Sequence, residues 1–209
     1  TGQETLDTAQ KLYEKKLISY PRTDSGYIND ENFSHLKIYL PELSEELLNI
    51  IPEFVNNPKC VNTQKITGSH DAIIPTGVKP GNLSGQESNI YNLIIKRSIE
   101  ALSKAAKYKK TKYTFDNNSI IFNSYTSVLI EKGWKKYSDI SEEIVNNEQS
   151  FIINVKKGDI INIAEIGIKE IESKPPSLYS EENLIEDLKN FGLLIKNENP
   201  ELLENIKSN

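Results

Sequence analysis

Methionine is absent from the 209 residues, and there are only one cysteine, one tryptophan, two histidines and two arginines. A single thiol, Cys60, excludes an internal disulfide and fits a reducing compartment. With one cysteine and two separated histidines, His35 and His70, no Cys/His spacing suits a zinc site. No apolar run approaches the roughly 18 residues that cross a bilayer. Thr1 to Asp7 are polar and lack the pattern of a signal peptide. Positive charge is also scarce. Lys and Arg number 25 against 30 Asp and Glu, for a net charge of -5, which argues against a generic nucleic-acid binder.

What is present describes a soluble globular chain, 37% hydrophobic and 26% charged, long enough for one or two compact units. The charge is uneven. Residues 1–110 hold 14 Lys and Arg against 13 Asp and Glu, and the other 99 hold 11 against 17. Any DNA contact is therefore expected in the first half, and locally. Because lysine dominates, Arg22 and Arg97 mark places where a flat, bidentate cation is wanted, although Lys/Asn/Ile richness also follows from codon usage.

Thr1-Gly2-Gln3-Glu4 reads as a capping box, and Leu6, Ala9, Leu12 and Tyr13 continue at helical spacing, predicting a helix over about 3–16. Pro21 blocks continuation and biases Tyr20 toward an extended backbone. A second helical region covers about 30–54, capped by Asp30, interrupted at Pro41 and restarted at Ser44. Residues 56–69 read as loop. Ser84-Gly85-Gln86-Glu87 is another capping box, opening a helix to about 106. The period then changes. Residues 111–115, 119–130, 150–155 and 160–166 read as strands, with turns at Asn117-Asn118 and Lys156–Asp159. Ser180 caps a helix with Leu184, Ile185 and Leu188 on its face, and Glu201–Lys207 reads as a last helical turn. The fold class is α+β, with a boundary near Ala106.

Two segments could carry chemistry. In Ser19-Tyr20-Pro21-Arg22-Thr23-Asp24-Ser25, a tyrosine with an ordinary pKa near 10 is a poor nucleophile at neutral pH. A cation two residues on would stabilise the phenolate and hold a phosphate under attack. Positions i and i+2 of an extended segment face the same way. Thr23, Asp24 and Ser25 add polar groups to orient the loop. On spacing alone, a packed tyrosine beside a surface arginine is the simpler reading, because the chain has ten tyrosines. In Ser69-His70-Asp71-Ala72-Ile73-Ile74-Pro75-Thr76, a histidine between a hydroxyl and a carboxylate on a rigid segment could bind a phosphate or shuttle a proton. The competing reading is a loop histidine without a role. Arg97 on the third helix could bind phosphate, whereas Lys96 fits a solvated face. Trp134 fits a core or strand-end anchor better than a base-stacking platform.

Together these motifs resemble the type IA DNA topoisomerases. Thr8-Ala9-Gln10-Lys11-Leu12-Tyr13-Glu14, followed by Ile18-Ser19-Tyr20-Pro21-Arg22-Thr23-Asp24-Ser25, is similar to their active-site segment, and proline after the tyrosine resembles the topoisomerase III branch. His70 to Thr76 is similar to that branch's histidine motif. Ile90 to Arg97, Lys132-Gly133-Trp134 and Lys174 to Glu181 follow in the family's order. Asp71 stands where many members carry Glu or His.

The resemblance implies that Tyr20 is the nucleophile, with Arg22 and His70 as its catalytic partners and Thr23, Asp24, Ser25, Ser69 and Arg97 contacting DNA. It implies a helical gate domain at 1–106, a β-rich arch segment at 107–172 and the start of a further helical domain at 173–209. The chain opens without Met and is expected to be an internal piece, lacking the family's metal-binding Toprim domain and a later glycine-rich motif. Magnesium would be held by that other domain, and no metal site is expected in this chain. Single-stranded DNA is the implied partner. No membrane, no small-molecule substrate, a monomeric state and a bacterial, cytoplasmic, nucleoid-associated location go with it. A non-catalytic single-strand-binding module is the alternative. A tyrosine-dependent nicking enzyme of another class would need a His-rich or acidic cluster near Tyr20, and the sequence has none.

Overall fold

A computed structural model describes residues 1–66, 68–138, 155–163, 165, 167, 168 and 170–189. They form four α-helices and one two-stranded antiparallel sheet, a mixed helix-and-sheet architecture. The chain divides into two compact units, Gln3–Val155 and Lys156–Asn209 with Thr1–Gly2. Among the described residues no helix is long and apolar enough to cross a membrane.

Helix α1 (Gly2–Glu14) buries Ala9 and Leu12. It stops before Pro21 through a Schellman motif. Leu17 N donates to Leu12 O (3.0 Å) and Lys16 N to Tyr13 O (2.8 Å), with Lys16 at φ 60° in the left-handed region. Buried Leu17 and Leu12 supply the apolar contact that accompanies such a cap.

Helix α2 (Asp30–Leu48) is capped by Asn29, not Asp30: the Asn29 side chain accepts from Asn32 N at 2.7 Å. Pro41 does not interrupt it. Proline removes one helical donor, but Phe33, Leu36, Leu40 and Leu43 are buried on one face, and that packing carries the helix through. Helix α3 (Gly85–Leu102) has the expected capping box at Ser84 and Glu87. It ends four residues earlier than its sequence suggests. Val55 N takes the Leu102 carbonyl (2.9 Å) and Phe54 bridges Ser103, which draws the chain out of the helix.

The core joins these helices to the segments between them. Leu12, Leu36, Leu40, Tyr91, Ile95 and Ile99 are almost wholly buried, together with Leu17, Ile18, Ile28 and Ile74 from the connections. Each such aliphatic contributes on the order of 1.5–3 kcal/mol when removed from water.

Strands β1 (Lys107–Asn117) and β2 (Ile120–Glu131) pair along their whole length. The turn is one residue later than expected, at Asn118-Ser119. Both have positive φ (51° and 70°), the type I′ geometry that matches strand twist. The Asp116 carboxylate accepts from Ser119 N at 2.8 Å and closes the loop.

In the second unit, Lys157-Gly158 turns as expected, with Asp159 N bonded to Lys156 O at 3.1 Å. No strand forms over 160–163 or at 165. A strand needs a neighbour for its backbone groups, and none of the described residues pairs with this run. The strand expected at 150–155 lies outside the described residues except for Val155, and Glu201–Lys207 lies outside them entirely. Helix α4 (Glu181–Lys189) begins at Ser180, whose hydroxyl accepts from Asn183 N at 3.1 Å.

Two stability predictions follow from these ends. Lys16→Gly relieves a left-handed strain of about 1 kcal/mol and raises the urea midpoint at unchanged slope. Glu87 accepts from Lys15 Nζ (2.6 Å) and from Ser84 N (2.9 Å). The Lys15 bond first, then the Ser84 backbone bond, hold its pKa down from 4.5 to about 2. A depressed carboxylate stabilises the fold above its unfolded value and stops doing so as pH falls through its folded value. The thermal midpoint should therefore drop between pH 4.5 and about 2, and Glu87→Gln should shrink that drop.

Candidate active site

The chain leaving α1 is stitched to a segment more than fifty residues away. Ser19 N donates to Ile74 O (2.9 Å) and Thr76 N donates to Leu17 O (3.0 Å), a short antiparallel bridge centred on Ile18 and Pro75. The Ser19 hydroxyl extends it, donating to Ala72 O (3.1 Å) and accepting from Ile74 N (2.9 Å). Thr76 Oγ1 donates to Lys16 O at 2.6 Å. Further on, Thr23 Oγ1 donates to His70 O (3.2 Å) and Ala72 N donates to Tyr27 O (2.8 Å). The Asp71 carboxylate accepts from Asn29 N (3.1 Å) and Asn32 Nδ2 (2.6 Å), fastening the histidine motif to the start of α2.

This stitching brings Tyr20 and His70 together. Their ring centroids are 4.6 Å apart, tilted by 45°. The Tyr13 ring, on the last turn of α1, meets Tyr20 edge-on at 5.4 Å and 74°. Tyr20 is partly exposed and His70 exposed, so the pair faces solvent. The Tyr20 hydroxyl has no hydrogen-bond partner among the described residues. Other tyrosines are committed elsewhere. Burial pushes Tyr91 up to about 12, and burial followed by the nearby Tyr91 does the same to Tyr39. Their hydroxyls donate to backbone carbonyls, Tyr39 to Pro75 O (2.6 Å) and Tyr91 to Val78 O (3.3 Å). The Tyr137 hydroxyl accepts from Glu53 N at 2.8 Å.

The remaining residues of the sequence reading fall into three groups. Arg22, Asp24 and Ser69 are exposed and have no hydrogen bond or ion pair among the described residues. Thr23 and Ser25 turn their hydroxyls to the loop itself: Thr23 Oγ1 also accepts from Ser25 N, and buried Ser25 bonds the Tyr27 backbone at 3.1 Å. Arg97 pairs with the buried carboxylate of Glu100 at 2.7 Å. It lines a cavity of about 910 Å³ walled by Ile28, Ile74, Ile94, Leu102 and Trp134, a lining that includes neither Tyr20 nor His70. His35 is exposed on α2.

Sequence reasoning left Tyr13 and Ser19 out of the site. Tyr13 had a signal: it lies seven residues before Tyr20, at a helix end that faces the returning chain. Ser19 had none, because its partners are set by a pairing across 55 residues. Among the described residues no group of three His, Cys, Asp or Glu side chains could hold a metal ion. The site presents a partly exposed phenol, an imidazole against its ring and, two residues along the chain, a guanidinium with no bond among the described residues.

Comparison with known proteins assigns the chain to a family. It is 31% identical over 192 residues to DNA topoisomerase 3 of Haemophilus influenzae, covering 88% of this chain and 29% of that protein. It is 29% identical over 217 residues to DNA topoisomerase 3 of Bacillus licheniformis (99% and 30%) and 33% identical over 192 residues to that of Staphylococcus saprophyticus (88% and 26%). The chain thus spans under a third of the length of these curated relatives. The family model described as DNA topoisomerase matches residues 1–193, and the chain belongs to the DNA topoisomerase family.

Proposed function

We propose that this chain supplies the nucleophile of a type IA DNA topoisomerase, and that Tyr20 transiently cleaves one DNA strand to let another pass. The observation that carries this reading is the Tyr20–His70 ring contact at 4.6 Å, on a solvent-facing edge. In this scheme the Tyr20 oxygen attacks a backbone phosphorus and loses its proton. The bond from phosphorus to the 3′ oxygen breaks, and that oxygen gains a proton. A 5′-phosphotyrosine ester replaces the phosphodiester, so the number of phosphoester bonds is unchanged and no ATP is needed. Reversal by the 3′ hydroxyl reseals the strand.

Arg22, with no acceptor of its own among the described residues, holds the scissile phosphate and offsets its developing charge. His70 positions the phosphate or the ester. Asp24, Ser69 and Arg97 contact the strand, while Thr23 and Ser25 shape the loop from which Arg22 projects. The gate is residues 1–106, with the arch at 107–172 and a further helical domain from 173. Magnesium and the acid for the leaving hydroxyl belong to the remaining parts of the enzyme, and no step is assigned to a metal on this chain. The partner is single-stranded DNA, and the enzyme acts as a monomer in the bacterial cytoplasm, at the nucleoid.

In the complete enzyme, Tyr20→Phe should abolish both relaxation of negatively supercoiled DNA and the denaturant-resistant adduct with single-stranded DNA. Arg22→Ala should slow adduct formation by about 10²–10³-fold. Adduct formation by Tyr20→Phe at the wild-type level would overturn the assignment. Salt-sensitive strand binding by an unsubstituted enzyme that forms no adduct would mark a binding module instead. The 209-residue chain alone, in EDTA, is expected to form no adduct, and finding one would refute the need for the other parts.

A further inference from the structure

We infer that Tyr13 is a positioning residue for Tyr20: its ring, delivered by the rigid end of α1, sets the direction in which the Tyr20 hydroxyl points. This rests on Tyr20 being the nucleophile.

The Tyr20 side chain makes ring contacts only with Tyr13 and His70 among the aromatic residues described. Its hydroxyl has no hydrogen bond among the described residues. The backbone bonds that flank it fix Ser19, not the tyrosine side chain. Two aromatic rings lie against it, Tyr13 at 5.4 Å and His70 at 4.6 Å. The two differ in how they are mounted. His70 is exposed and lies on a loop. Tyr13 lies on a helix whose preceding residue, Leu12, is 0% exposed. The Tyr13 carbonyl also accepts from Lys16 N in the Schellman cap. Its backbone is thereby held at the point where the chain turns toward Tyr20. Edge-on contact at 74° is a favoured geometry for aromatic pairs and depends on a ring, not on a hydroxyl. A ring so mounted restricts the orientations of the nucleophile before DNA arrives, and orientation of reacting groups is rate-determining currency in such attacks.

The test uses the complete enzyme and a single-stranded oligonucleotide at saturating concentration, with the rate of covalent adduct formation as readout. Tyr13→Leu is expected to slow that rate by about fivefold, the range an aromatic pair supports. Oligonucleotide affinity and thermal midpoint should stay at wild-type values. Tyr13→Phe, which keeps the ring, should restore the rate to within about twofold. A wild-type rate in Tyr13→Leu overturns the inference. So does a Tyr13→Phe loss equal to that of Tyr13→Leu, because the hydroxyl would then be the active feature. If Tyr13→Leu loses thermal stability, Tyr13→Ile and Tyr13→Trp replace it in the same assay, and a rate that follows stability rather than aromaticity also overturns it. Tyr20→Phe in parallel separates the two claims: an adduct there sinks the nucleophile assignment, whereas its absence with an unaffected Tyr13→Leu sinks only the role of Tyr13.

Discussion

The site depends on one short antiparallel pairing, Leu17–Ser19 against Ile74–Thr76. Each of its main-chain bonds is worth only about 1 kcal/mol net. The pairing matters because of what it joins. Helix α1 delivers the tyrosine segment from one side, and the histidine motif arrives from a loop more than fifty residues later. The pairing offsets the chain entropy of closing that loop together with the bonds of Thr23, Asp71 and Ala72. Ile18 and Pro75 at its centre are both buried, so the same contacts close the loop and complete the core.

Hydroxyl groups extend the pairing where the ladder would otherwise run out. Ser19 serves Ala72 and Ile74, Thr76 reaches back to Lys16, and Thr23 ties the far end to His70. These side chains are short, and little rotamer entropy is lost in fixing them. Asp71 does comparable work with its charge, spending both of its contacts on the start of α2. The polar residues around Tyr20 thus divide into those turned inward, which build the loop, and those left outward, Arg22, Asp24 and Ser69, which bond to none of the described residues.

Local features were legible in the residues themselves. The α3 capping box, the Ser180 cap, the α1 periodicity and the β hairpin rest on interactions within a few positions, and their signals are local. The features that were not legible depend on distant partners. Helix α3 stops at Leu102 because residues 54 and 55 claim its end. Pro41 is tolerated because α2 buries Leu36, Leu40 and Leu43. The strand read at 160–166 has no paired neighbour among the described residues. At the site, the motifs around Tyr20 and His70 stood out in sequence. Their contact, and the bonds that Ser19 makes to Ala72 and Ile74, came only with the fold.

The Schellman turn at Lys16 has a mechanical consequence. It lies four residues from Tyr20, and the chain between them is bonded to Ile74 and Thr76 across its width. On the role proposed for Tyr20, a load on a strand joined to that residue would meet these main-chain bonds before it reached the helix.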